Sequence, residues 1–152
     1  MFMALSPQKF REIVLQLLYS YDFFLSEEDD VIDCMMHELS VTKKTMREAK
    51  ERQEKIFSSL SEIDALIAGS SASYDVERIG RIEKSILRLG VYELCLEKEL
   101  PPKVVIAEAI RLARKFSTAE SGAFINAILD ALWQESLAMQ GNCESVAALS
   151  IS

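Results

Sequence analysis

The sequence predicts an all-α fold, and three observations carry that expectation. Apolar residues recur at three- and four-residue spacing through most of the 152-residue chain, the period that gathers them on one side of a helix. Glycine and proline, the usual punctuation between short strands, number only 5 and 3. No strand-like alternation of useful length and no repeat of solenoid period is visible. The length suits one compact domain, and 49% hydrophobic residues suffice for a core without a metal or disulfide staple.

Taken in order, Ser6-Pro7 opens the first helix: serine caps free backbone N–H groups and proline is tolerated at the first helical position. Phe10, Ile13, Val14, Leu17, Leu18 and Tyr21 then share one face, with Gln8, Glu12, Gln16, Tyr19 and Phe23 opposite. Ser26 with Asp29 resembles a capping box, predicting a helix from about Glu27 to Leu39 that buries Val31, Met35 and Leu39 or Met36. Thr42 caps a long helix to about Ala68. Its first half carries Glu48–Arg52 and Glu51–Lys55 at i,i+4, and is expected to project into solvent or graze the core. Its second half carries Ile56, Leu60, Ile63 and Ile67. The stretch Gly69 to Ser73 reads as a loop between two helical halves, not as a domain linker.

In the second half, Ile79, Ile82, Ile86, Leu89 and Leu94 share a face, and Pro101-Pro102 stops that helix. Lys103 to Phe116 repeats the pattern with Ile106, Ile110 and Ala113. Ser117-Thr118-Ala119-Glu120 reads as a capping box for a last helix with Ile125, Ile128, Leu129 and Leu132 inward. From Gly141 onward the chain reads as a frayed tail.

The formal net charge is −7. That argues against non-specific nucleic-acid binding, which depends on a broad positive potential, but leaves room for a local basic cluster. Cys34, Cys95 and Cys143 have no zinc-type spacing and fit no closed disulfide set, as in a reduced cytosolic protein with inert thiols. The lone His37 reads as a surface or boundary histidine. The N-terminus reads as no signal peptide, and no apolar run reaches the roughly 20 residues a bilayer requires. Phosphate-binding glycine loops and H-E-x-x-H are absent, so neither catalysis, a cofactor nor a metal is expected.

Binding features are richer. Gln8, Lys9 and Arg11 stand at the start of the first helix: the cations suit phosphates, and the amide suits a base edge. Tyr19 and Phe23 offer rings on which unpaired bases stack, although packing on another helix is the commoner fate. Arg81, Lys84 and Arg88 form a stripe at i, i+3 and i+7, near Glu83 and Glu93. Arg111, Arg114 and Lys115 run up to the start of the last helix, where backbone N–H groups and cations together suit phosphate.

The sequence resembles the NusB transcription-antitermination family from about Ser6 to Trp133. The resemblance rests on Arg81-Ile82-Glu83-Lys84-Ser85-Ile86-Leu87-Arg88 with Leu89-Gly90-Val91-Tyr92-Glu93-Leu94, and on Leu100-Pro101-Pro102-Lys103-Val104-Val105-Ile106-Ala107-Glu108-Ala109-Ile110. Leu112-Ala113, Phe116, Phe124-Ile125-Asn126-Ala127-Ile128-Leu129-Asp130, Arg11-Glu12 and Gln16-Leu17-Leu18-Tyr19-Ser20 complete it. It implies two small helical bundles packed into one compact domain of about seven helices over residues 1–138, the bundles spanning about 6–68 and 74–138, with a flexible tail over 139–152. It implies binding to the single-stranded boxA element of nascent RNA, chiefly of ribosomal RNA operons. The partners it implies are the ribosomal protein NusE, other Nus factors and RNA polymerase. It implies no catalysis, and self-association through helical faces is compatible with it.

Position by position, the resemblance puts RNA contacts on Gln8, Lys9, Arg11, Tyr19, Glu120, Phe124 and Asn126, to which the cation Arg114 is added as a phosphate contact. It puts the NusE-facing region on Glu83, Lys84 and Arg88. The N-terminal basic motif is thinned to Lys9 and Arg11, and Gly122 and Ala123 stand where the family carries basic or polar residues. That thinning keeps a second reading open: a protein-interaction module of the transcription complex with weak or lost RNA recognition. A third reading, the helical domain that precedes ribosomal RNA cytosine methyltransferases, lacks support, because no Gly-rich cofactor loop and no catalytic cysteine motif follows.

Overall fold

The structure, a computed structural model, describes residues 6–21, 41–70 and 78–151, with side chains of the last helix to Met139. The expected helix over 27–39, with Cys34 and His37, and Phe23 lie outside these residues. Every regular element among the described residues is helical. The chain divides into two compact units, Met1–Leu60 and Ser61–Ser152.

In the first unit, α1 (Pro7–Tyr21) starts as its sequence dictates: the Lys9 N–H donates to Ser6 Oγ at 3.2 Å. Five consecutive residues, Arg11 to Leu15, are buried. Five in a row cover every azimuth of a helix, so α1 is enclosed along its middle and is not amphipathic there.

Helix α2 (Lys43–Ser58) is capped by Thr42, whose hydroxyl accepts from the Thr45 N–H at 3.2 Å. It packs on α1 through Met46, Ala49, Gln53 and Ile56, a stripe at helical spacing. Its charged first half therefore reaches the core through Met46 and Ala49 and leaves Lys43, Lys44, Arg47 and Glu48 exposed; of the two expectations for it, contact with the core holds and projection into solvent does not. Gln53, buried among apolar groups, satisfies its amide by donating to the Leu17 carbonyl at 2.9 Å and so pins α2 to the last turns of α1. The single long helix expected from Thr42 is broken at Ser59, which leaves helical geometry (φ −109°, ψ 16°). Ser58 Oγ bonds back to the Glu54 carbonyl at 2.8 Å, the competition with the helix ladder that serines offer.

In the second unit, α3 (Leu60–Ser70, its first residue shared with the first) buries Ile63 and Ile67 and continues to Ser70, past the expected start of the loop at Gly69. Helix α4 (Arg81–Val91) runs into a π-helical turn, Tyr92–Glu97, closed by a Lys98 N–H to Glu93 carbonyl bond at 3.1 Å. The wider turn shifts the buried face: Glu93 is buried while Leu94 is only half-buried, so the straight-helix face predicted through Leu94 fails there. Lys98, in the left-handed region at φ 56°, ends the helix before the prolines are reached.

Helix α5 (Pro102–Phe116) buries Val105, Ile106, Ala109, Leu112 and Ala113, and packs on α4 and on α6 (Ala119–Ile151). Ile125, Ile128, Leu129 and Leu132 of α6 are buried as predicted. The helical backbone of α6 continues through residues 139–151, where the sequence reads as a tail. Helices α4 and α6 meet at Gly90: a methyl group there would lie 3.1 Å from Leu129 Cδ1 and 3.3 Å from Cδ2. Glycine is kept inside a helix, at a cost of about 1 kcal/mol in propensity, where backbone and side chain approach so closely. Replacing Gly90→Val is expected to lower the stability by roughly 1–3 kcal/mol through overpacking against Leu129. Thermal unfolding checks this, and Leu129→Ala in the same chain should recover part of the loss.

Candidate nucleic-acid interface

The candidate residues fall in both units. In the first, Gln8 is exposed and Lys9 half-exposed, 3.9 Å from the Glu12 carboxylate. Tyr19 is exposed at the other end of α1. Gln8 and Tyr19 share an azimuth to within about 20° but stand about 16 Å apart along the axis. Between them Arg11, Glu12 and Leu15 are buried, so the polar face read from the sequence is two separated ends and not a continuous strip. Arg11, expected to flank that face and reach phosphate, is 9% exposed. Its burial is the consequence of α1 being enclosed on all sides.

In the second unit the candidates gather at the α5–α6 turn. Arg114 and Lys115 are exposed in the last turn of α5, and Glu120 is exposed in the first turn of α6. The capping box is not the predicted Ser117–Glu120 pair. Thr118 is the cap: its hydroxyl accepts from the Ser121 N–H at 3.1 Å and donates to Ser121 Oγ at 3.0 Å. Ser117 is taken by other bonds. Its N–H closes α5 on the Ala113 carbonyl at 2.8 Å, and its hydroxyl donates to Glu83 Oε1 at 2.5 Å. Ser121 Oγ donates to the same Glu83 oxygen at 2.9 Å. Glu120 is thereby left on the surface.

Phe124 is half-buried and Asn126 exposed. Two residues apart on a helix, they point about 160° away from each other. They flank the solvent-facing crest of α6, where Glu120, Ala123, Ala127 and Asp130 are exposed. The ring and the amide therefore lie on opposite flanks of the helix.

The residues expected to face a partner are largely engaged within the unit. Arg88 makes a two-pronged ion pair with Asp64 of α3, Nε to Oδ1 and Nη2 to Oδ2 both at 3.0 Å. Glu83 sits in the first turn of α4, where negative charge suits the helix dipole. A Cβ at Gly80 would meet its folded-back carboxylate, so a larger residue there must displace the Glu83 side chain. Burial pushes the Glu83 carboxyl up, but hydrogen bonds from Ser117, from its own backbone N–H and from Ser121 outweigh this and hold it below its ordinary value. Lys84 is half-buried. Among the described residues no group of acidic, histidine and cysteine side chains is arranged to hold a metal. Burial, with Glu62 adding to it and Lys98 opposing, pushes the Cys95 thiol up, the state of an unreactive cysteine. No described helix is long and apolar enough to cross a membrane.

The sequence reading missed Ser117 and Ser121 as the groups that fix Glu83. Neither spacing nor composition connects residues so far apart; the only local signal was an excess of hydroxyls over the single cap a helix start needs.

The described elements thus define an all-helical protein, each unit of which carries an exposed or half-exposed cation and polar groups together with an aromatic ring. The sequence pattern of the NusB family matches residues 8–134, and the chain belongs to that family. A transcription antitermination protein NusB of a Nitratiruptor species is 40% identical over 125 residues, 82% of this chain and 89% of that one. That of Syntrophus aciditrophicus is 37% identical over 123 residues, 81% and 76% of the two chains. T. maritima NusB superimposes with a TM-score of 0.72 at 31% identity, over 88% of this chain and 94% of that one. A structure of the antitermination factors NusB and NusE in complex with double-stranded RNA gives a TM-score of 0.72 at 25% identity, over 84% of this chain and 96% of the matched one.

Two outcomes follow from the bonds at α4. Glu83→Ala removes the charged acceptor of two hydroxyl bonds and is expected to cost about 1.5–3 kcal/mol, the range for bonds to a charged acceptor. Because the folded carboxyl lies below its ordinary value of 4.5, this stabilisation is complete above that value. It fades as pH falls through the lower folded value, and Glu83→Gln should flatten that part of a stability–pH curve. Separately, Arg88→Ala is expected to cost about 1–2 kcal/mol in chemical unfolding, discounted from a fully buried pair because Asp64 keeps 32% of its side-chain surface.

Proposed function

We propose that this chain is a transcription antitermination factor that binds the boxA element of nascent ribosomal RNA as a heterodimer with the NusE ribosomal protein. The reading rests chiefly on the likeness to the NusB of the NusB–NusE–RNA structure, which spans 84% of this chain. It acts with other Nus factors and RNA polymerase, in the cytoplasm, without catalysis or cofactor.

In the first unit Gln8, Lys9 and Tyr19 meet the RNA, while Arg11, buried, braces the start of α1. In the second, Arg114 and Glu120 flank the turn, Phe124 stacks on an unpaired base, and Asn126 bonds to a base edge. Lys84 faces NusE directly, on a surface whose shape Glu83 and Arg88 hold through their internal bonds. The protein-interaction module with lost RNA recognition is favoured by one observation, the burial of one of the two remaining basic residues of the N-terminal motif.

The test is binding to a short boxA-type RNA and a scrambled control, with and without the NusE of the same species, at two salt concentrations. Preference for boxA that tightens with NusE is expected. Phe124→Ala should lose roughly 5- to 100-fold in affinity, the loss of one stacked base. A stable complex with NusE that shows no preference between the two RNAs would sink the RNA reading and leave the interaction module.

A further inference from the structure

The solvent face of α5 carries a charge opposite to that of the molecule. Lys103, Val104, Ala107, Arg111, Arg114 and Lys115 fall within a sector of about 120°, centred opposite the buried face of Val105, Ala109 and Leu112. Lys103, Val104, Ala107, Arg114 and Lys115 are exposed, and Arg111 is half-buried. The single acid on α5 is Glu108, which accepts from Arg111 Nε and Nη2 at 3.0 Å and so holds the guanidinium at the edge of the face. With Glu108 counted, the face carries +3 in a chain of net −7.

From this arrangement we infer that α5 is a track for the phosphate backbone of single-stranded RNA, continuing the path beyond Phe124. This rests on the RNA-binding reading and assigns Lys103, Arg111 and Lys115 to it beside Arg114. The face is about 18 Å long. A nucleic-acid strand carries a charge about every 3.4 Å along a duplex, so the face spans several phosphates. Its C-terminal end runs into the Thr118-capped start of α6, the turn that presents Glu120 and Phe124. On this path the phosphates that follow a base stacked on Phe124 run towards Arg114 and Lys115. Val104 and Ala107 leave an uncharged floor between the cations on which ribose can rest. RNA is favoured over an acidic protein by this continuity with the aromatic site, since Arg111, Arg114 and Lys115 gather at the end of α5 that leads to it, with Lys103 at the far end.

The test compares two triple variants of the full chain, each removing three positive charges: Lys103→Gln/Arg114→Gln/Lys115→Gln on α5, and Lys43→Gln/Lys44→Gln/Arg47→Gln on exposed positions of α2. The α5 variant should weaken boxA and scrambled RNA alike by roughly 10-fold near 0.1 M salt, and lower the slope of log affinity against log salt by about 2. The α2 variant should change either by less than about 2-fold, and both should unfold at the temperature of the parent. Equal losses in the two variants would reduce the effect to net charge and overturn the inference. So would an unchanged salt slope, or a loss of NusE affinity with RNA affinity intact. If Phe124→Ala weakens RNA binding while the α5 variant does not, the RNA reading stands and the track fails. If the parent chain binds neither RNA, alone or with NusE, both fall together.

Discussion

One oxygen of the Glu83 carboxylate accepts from Ser117 and Ser121 together, and the turn between α5 and α6 is organised around that contact. Because Ser117 is spent on the carboxylate, capping falls to Thr118, and α6 begins one residue later than its sequence suggests. That shift frees Glu120 and fixes which residues of α6 face outward. The hydroxyls act in series: Thr118 donates to Ser121, which donates to Glu83, so each bond polarises the next. A charge at the start of α4 thus determines the geometry of a surface borne by two other helices.

Much of the fold was legible because its signals are local. Ser6 and Thr42 cap the helices they were expected to cap, and the buried positions Ile125, Ile128, Leu129 and Leu132 follow from period alone. The failures have a common physical origin in tertiary competition. Ser117 looks like a cap until a carboxylate from another helix takes it. The break at Ser59 is invisible to a pattern that stays in phase across it. The π-helical turn after Val91 alters the period itself, so a face extrapolated at 3.6 residues per turn misplaces Glu93 and Leu94. Arg11 reads as a surface residue and is buried, because polarity reports preference and not position.

The candidate site was legible in its residue types but not in their roles. Phe124 and Asn126 were found together by resemblance, yet helix geometry sends them to opposite flanks of α6. Arg88 looked like part of an exposed stripe, and its planar fork instead matches the Asp64 carboxylate at two points. Arg111, Arg114 and Lys115 were visible as a basic run; that Lys103 shares their face is evident only once α5 is seen to bury the other side. An acidic chain can engage an anion when its positive charge is concentrated, since potentials beyond a Debye length of about 10 Å are screened at 0.1 M salt.

Whether Glu83 orders the start of α6 is decided by amide hydrogen exchange in Glu83→Gln. Faster exchange is expected at Ser121 and Gly122, whose N–H groups bond to Thr118, with protection at Ile128 and Leu129 retained. Unchanged protection at Ser121 and Gly122, or a uniform loss along α6, would contradict it.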